Sequence, residues 1–108
     1  MNGKPPTDLT ELREIARKAA IASGAKRVIL FGSVARGESR EDSDLDLLLI
    51  IDTEDQHELL RAAERAELAF WPRDFAMDLV PMRLSHYESG ASVLAREAQA
   101  EGIELHAA

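Results

Sequence analysis

Cysteine is absent from the 108 residues, which removes disulfide scaffolds, thiolate metal sites and cysteine nucleophiles together. Any metal must then bind through oxygen or imidazole. Long apolar runs are absent too. The longest aliphatic stretch, residues 47–51, is far short of the ~20 residues that cross a bilayer, and residues 1–6 hold no apolar signal region. These absences predict a soluble cytoplasmic protein with no membrane partner. An excess of positive charge is also missing: 13 Lys+Arg stand against 20 Asp+Glu, a formal net charge of −7. Direct binding to a nucleic-acid backbone is therefore not expected. No internal repeat or low-complexity tract is present, which sets aside solenoids.

What remains is a mixture of 45% hydrophobic and 31% charged residues, able to bury a core of its own. The length predicts one domain over 1–108, with residues 1–6, carrying Gly3, Pro5 and Pro6, frayed. Thr7 and Asp8 offer N-cap oxygens to a helix. Its face is marked by Leu9, Leu12, Ile15, Ala16, Ala19 and Ala20, and Gly24 stands where a left-handed C-terminal cap belongs.

Val28, Ile29, Leu30 and Phe31 read as a short buried strand ending at Gly32, and residues 44–51 as a second, doubly covered one. A helical turn is expected at Val34, Ala35 and Arg36, starting from Ser33. Thr53 and Gln56 have capping-box spacing ahead of a helix with Leu59, Leu60, Ala63, Ala66 and Phe70 on one face, ended by Pro72. Residues 75–80 suggest a third strand, with Asp78 the odd residue among apolar neighbours. Ser85 and Glu88 repeat the capping-box spacing before a helix that Gly90 weakens, with Val93, Leu94 and Ala98 as its face and Gly102 as its end. Residues 103–106 close the chain as a short edge strand. The fold class is α/β (α+β), a small mixed sheet packed against helices.

Chemistry concentrates between Gly32 and Asp46. A glycine and a serine at the end of a buried strand, followed by a helical turn, place free backbone N–H groups and a hydroxyl where a phosphate can sit. Asp44 and Asp46 are two apart at a strand start, so a period of two turns both carboxylates to one face. Such a pair needs a cation between its members. Mg²⁺ suits it, since this ion takes oxygen ligands and is commonly held by one or two carboxylates plus substrate phosphates. Asp78 is the third candidate, because an ionised side chain in an apolar strand calls for a cation or hydrogen bonds. It is also placed to accept a proton from an attacking hydroxyl. Asp74 has the same strand parity and competes with it if the strand begins early.

Gly32-Ser33, ten intervening residues and then Asp44-Leu45-Asp46 resemble the signature of the nucleotidyltransferase superfamily that includes DNA polymerase beta. The run Phe31-Gly32-Ser33-Val34-Ala35-Arg36-Gly37 resembles that of the minimal nucleotidyltransferases, MntA-type antitoxins often paired with HEPN-domain ribonucleases. The resemblance spans about residues 27–80. It implies the polymerase beta-like fold, with Gly32 and Ser33 holding a nucleoside triphosphate, Asp44 and Asp46 binding Mg²⁺, Asp78 completing the triad and Arg36 contacting phosphate. It further implies transfer of a nucleoside monophosphate, AMP from ATP, to a hydroxyl, with two Mg²⁺ ions engaged and a tyrosine of a cognate HEPN toxin as acceptor. A partner or a second copy of the chain would supply the acceptor surface that this short chain lacks. The alternatives are a non-catalytic antitoxin acting by binding alone and a small-molecule adenylyltransferase.

Blander readings apply elsewhere. His57, His86 and His106 lack metal-ligand spacing and read as surface residues. Phe70 and Trp71 read as core or rim packing, and Arg61, Glu64, Arg65 and Glu67 as a solvated helix face.

Overall fold

The computed structural model describes residues 3–40 and 42–108; Met1 and Asn2 of the lead-in, and Glu41 within the motif stretch, lie outside them. Helix α1 (Leu9–Ser23) is capped by Asp8, whose carboxylate accepts from the Glu11 N–H at 3.2 Å. Gly24, at φ 77°, ends it by returning its N–H to the Ala20 carbonyl at 2.7 Å. The expected caps therefore form. The residues before α1 are not all loose: Gly3 bridges to Phe75 and Pro5 is buried, where the sequence led us to expect fraying.

Strand β1 (Arg27–Phe31) runs into a single helical turn, α2 (Gly32–Ala35), and β2 (Leu45–Ile51) follows. Then come α3 (Gln56–Ala69), β3 (Met77–Arg83), α4 (Leu84–Ser89), α5 (Val93–Glu101) and β4 (Ile103–Ala107). The sheet order is β3-β2-β1-β4, with β1 antiparallel to both β2 and β4 and β2 parallel to β3. This is the mixed α/β architecture that the sequence implied.

Side-chain alternation divides the sheet into two apolar faces. Val28, Leu30, Leu45, Leu47, Leu49, Ile51, Met77 and Leu79 pack under α1 and α3, which meet them through Leu12, Ala16, Ala19, Leu59, Ala62 and Ala66. The alanines let both helices approach closely. Ile29, Leu48, Ile50 and Met82 turn the other way and pack with Tyr87 of α4 and Ala95 and Ala98 of α5.

Several boundaries differ from expectation. The cap of α3 is Asp55, which accepts from the His57 N–H at 2.9 Å, while Thr53 accepts from the Asp55 N–H instead of capping. The buried face of α3 is Leu59, Ala62 and Ala66, and Leu60 is half exposed. Strand β3 starts two residues later than expected and continues through Pro81. That is tolerable because β3 is an edge strand, where a missing ladder N–H matters least. Gly90, at φ 64°, splits the expected last helix into α4 and α5. Ser85 caps neither; Ser92 caps α5 by accepting from the Ala95 N–H at 3.1 Å. Phe70 packs against the core, but Trp71 is 76% exposed and so is neither core nor rim.

Candidate active site

The site is built where three strands reach the same end of the sheet. Asp46 on β2 stands opposite Phe31 on β1 and Asp78 on β3, so these three residues form a row across the sheet. Neighbouring strands lie roughly 4.8 Å apart. Partners in register share a face, here the one that carries Leu48 and Ile50 toward α4 and α5. The row thus replaces an apolar layer with two carboxylates where that second core runs out.

Asp44 lies one residue before β2. The Leu45 N–H donates to the Ala76 carbonyl at 2.9 Å, which lays this segment alongside the entry to β3. The preceding turn closes on itself: the Arg40 N–H donates to the Ser43 hydroxyl at 2.7 Å and the Ser43 N–H to the Arg40 carbonyl at 3.1 Å. Ser43 therefore fixes the approach of the acidic strand.

Electrostatics identify Asp46 as the constrained member. Burial, and after it the nearby charges of Asp78 and Asp44, push its carboxyl up to about 6, with a small opposing pull from Arg36. Asp78 is exposed, so its carboxylate meets water and is not desolvated by its apolar strand neighbours, contrary to expectation. The half-buried carboxylate is Asp46, and Asp78 contributes charge. Asp74 precedes β3, and its backbone carbonyl accepts from Gly3, so Asp78 and not Asp74 holds the register place beside Asp46.

Gly32 begins α2 at φ 77°. A Cβ there would overlap the Asp46 carboxylate and stand 3.0 Å from its Cγ. Both the left-handed backbone and the close approach demand glycine. Ser33 follows in the same turn, whose leading N–H groups have no intrahelical acceptor. The structure thus brings Gly32, Ser33, Asp44, Asp46 and Asp78 to one corner. Arg36, at the end of α2, is exposed and ion-paired to Glu38 at 3.0 Å.

The donor set suits a hard divalent cation. Asp46 and Asp78 supply carboxylate oxygens, and Asp46, raised first by burial, also feels the like charges of Asp78 and Asp44. Among the described residues no three acidic or imidazole side chains stand together closely enough to hold a metal ion.

A larger groove, about 650 Å³, lies elsewhere, between α1 and the segment after α3, with Ile21, Phe70, Trp71 and Phe75 in its walls. It reaches Met77, whose side chain faces away from that of Asp78, so it is not part of the acidic corner. A recess of about 170 Å³ between α2 and α5 adjoins Gly32 and Arg36. No pattern in the chain marks it, since its α5 wall carries no motif.

The family model for the nucleotidyltransferase domain matches residues 9–89. No curated protein matches the chain. Among solved structures, a toxin–antitoxin with AMP-PNP is similar at 24% identity and a TM-score of 0.59, over 89% of this chain and 73% of the other. A mutant of the toxin–antitoxin MntA–HpeT is similar at 20% identity and a TM-score of 0.54, over 94% and 74%. A Sulfolobus solfataricus protein designated a nucleotidyltransferase is similar at 18% identity and a TM-score of 0.55, over 89% and 77%. At these identities the likeness is one of fold.

Proposed function

The chain belongs to the nucleotidyltransferase domain family, and from that premise we propose that it transfers AMP from ATP to a hydroxyl of a partner protein, acting as the antitoxin of a HEPN-type toxin whose tyrosine is the acceptor. The observation that carries the reading is the register pairing of Asp46 with Asp78 beside the Gly32-Ser33 turn. Fold likeness to toxin–antitoxin proteins, one of them with AMP-PNP, supports the choice of partner and nucleotide.

Each residue has a role in this reaction. The backbone N–H groups of the Gly32-Ser33 turn and the Ser33 hydroxyl hold the triphosphate, and Arg36 offers it a guanidinium. Asp44, Asp46 and Asp78 would hold Mg²⁺, which when bound offsets the charge developing on the phosphoryl oxygens. The acceptor oxygen bonds to the α-phosphorus while the bond to the oxygen bridging toward the β-phosphate breaks, and pyrophosphate leaves. The proton of the hydroxyl passes to Asp78, which is exposed and so reachable by a large acceptor.

The test is incubation with Mg²⁺ and α-phosphate-labelled ATP, with and without a HEPN-type partner, using Asp44→Asn with Asp46→Asn as control. Label on the partner that the control loses is the expected result. A tight, unlabelled complex formed by a folded protein would replace this reading with neutralisation by binding alone.

A further inference from the structure

We infer that the groove between α1 and the segment after α3 is the docking surface for the acceptor protein, and that it takes an apolar stretch of that protein flanked by carboxylates; this rests on the protein-transfer reading above. The floor of the groove is apolar, formed by Ile15, Phe70, Phe75 and Met77. Met77 is buried in the first core and the other three pack against it. At the mouth stand Ile21 and Trp71, both mostly exposed. Large apolar side chains left in water around an apolar concavity mark a surface that another molecule covers. At about 650 Å³ the groove lies within the ~300–1,000 Å³ of sites that enclose a drug-sized ligand, which is room for a short run of a partner's side chains.

Charge narrows the occupant. The chain carries a net −7, yet the groove walls hold Arg17, Lys18 and Arg73 against Glu14 and Asp74, so cations are in excess here. Lys18 joins no ion pair among the described residues, and its ammonium lies over the Phe70 ring, 4.9 Å from the centroid. An ammonium held above an apolar floor favours a carboxylate beside an apolar side chain in the occupant. Arg73 is tied down as well: it donates to the Met77 carbonyl at 2.9 Å and pairs with Glu67. These contacts fasten the segment after α3 to the start of β3 and keep that wall in place.

Position links the groove to the reaction. Met77 lines the groove, and Asp78, the next residue, belongs to the acidic corner. Their side chains leave β3 on opposite faces, but consecutive Cα atoms are only ~3.8 Å apart. β3 is an edge strand, so no further strand of the sheet lies outside it. A protein interface of ordinary size covers ~800 Å² on each partner, enough to rest on the groove and reach round the start of β3. The groove thus holds the acceptor where its hydroxyl can meet Asp78, without itself touching the reacting atoms.

The test measures, with the full chain, the affinity for a HEPN-type partner by calorimetry and the labelling of that partner from α-phosphate-labelled ATP, for wild type, Trp71→Ala and Lys18→Glu. Both side chains are exposed, so the variants should fold, which circular dichroism checks. Each should bind the partner roughly tenfold or more weakly, since aromatic anchors and complementary charges carry much of such interfaces. The loss should appear in KM for the partner, with kcat and ATP binding near those of wild type. Added salt should weaken the wild-type complex more than that of Lys18→Glu. Unchanged partner affinity in both variants overturns the docking surface and leaves nucleotide transfer standing. Self-association of wild type that Trp71→Ala abolishes overturns it in favour of a second copy in the groove. A complex weakened in both variants but never labelled in wild type supports the surface and overturns transfer instead.

Discussion

The two faces of the sheet are made from the same strands and end differently. Under α1 and α3 the apolar side chains continue to the last row, where Leu45 and Met77 are both buried. Under α4 and α5 the apolar side chains stop one row short, and Asp46 and Asp78 take the final positions. One strand therefore serves both ends: Leu45 and Leu47 hold the fold while Asp46 between them faces the proposed active site. Alternation along a strand lets stability and function sit one residue apart and be altered separately.

That separation is open to direct attack. The largest effect should come from the acidic end: Asp44→Asn with Asp46→Asn should reduce labelled-AMP transfer by roughly a thousandfold or more, since carboxylate-held metal contributes several kcal/mol to such reactions. Thermal unfolding should show the variant folded. On the closed face the opposite pattern is expected. Leu47→Ala should lower the unfolding free energy by about 3 kcal/mol, read by denaturant titration, because a fully buried leucine leaves a cavity there. Transfer per folded molecule should change little. If Leu47→Ala instead abolishes transfer in a still-folded protein, the faces are not separable.

Gly32→Ala sits at their junction. The left-handed backbone alone makes it about 1–2 kcal/mol less stable, and the added Cβ displaces the Asp46 carboxylate. Transfer should fall by more than that stability loss explains, as single-turnover rates on the folded fraction would show. Asp46→Asn should act on stability in the other direction. The Asp46 carboxyl is raised from 3.8 to about 6 in the fold, so the folded state keeps its proton longer than the unfolded chain. Stability from this group is full below 3.8 and falls as pH rises through about 6. The neutral variant should gain about 1 kcal/mol near neutral pH, a figure discounted for solvent screening, and gain nothing in acid. Chemical denaturation across pH, without added Mg²⁺, checks the sign. The smallest effect is expected at Trp71, which is mostly exposed. Trp71→Ala should change stability by about 0.5 kcal/mol or less.

Much of this was legible in the sequence because its causes are local. Asp8 and Gly24 cap α1 where a side-chain oxygen and a left-handed turn were expected. The aliphatic run after Asp46 predicted a doubly covered strand, and β2 is buried on both faces. The signals that misled were local as well. Thr53 and Ser85 had capping-box spacing, yet Asp55 and Ser92 do the capping, because the backbone chooses among nearby oxygens only once the helix axis is placed by packing. The strand expected over residues 75–80 runs on through Pro81, which its edge position makes harmless.

The sequence by itself determined Gly32, Ser33, Asp44 and Asp46 as members of the acidic corner and the parity that sets aspartate against leucine along β2, since these follow from neighbours in the chain. Only the tertiary structure decided that Asp78 stands in register with Asp46, that Asp46 and not Asp78 is the half-buried acid, and that α5 closes a recess beside Gly32. Strand register, burial and helix placement depend on contacts between distant segments, and no local pattern records those.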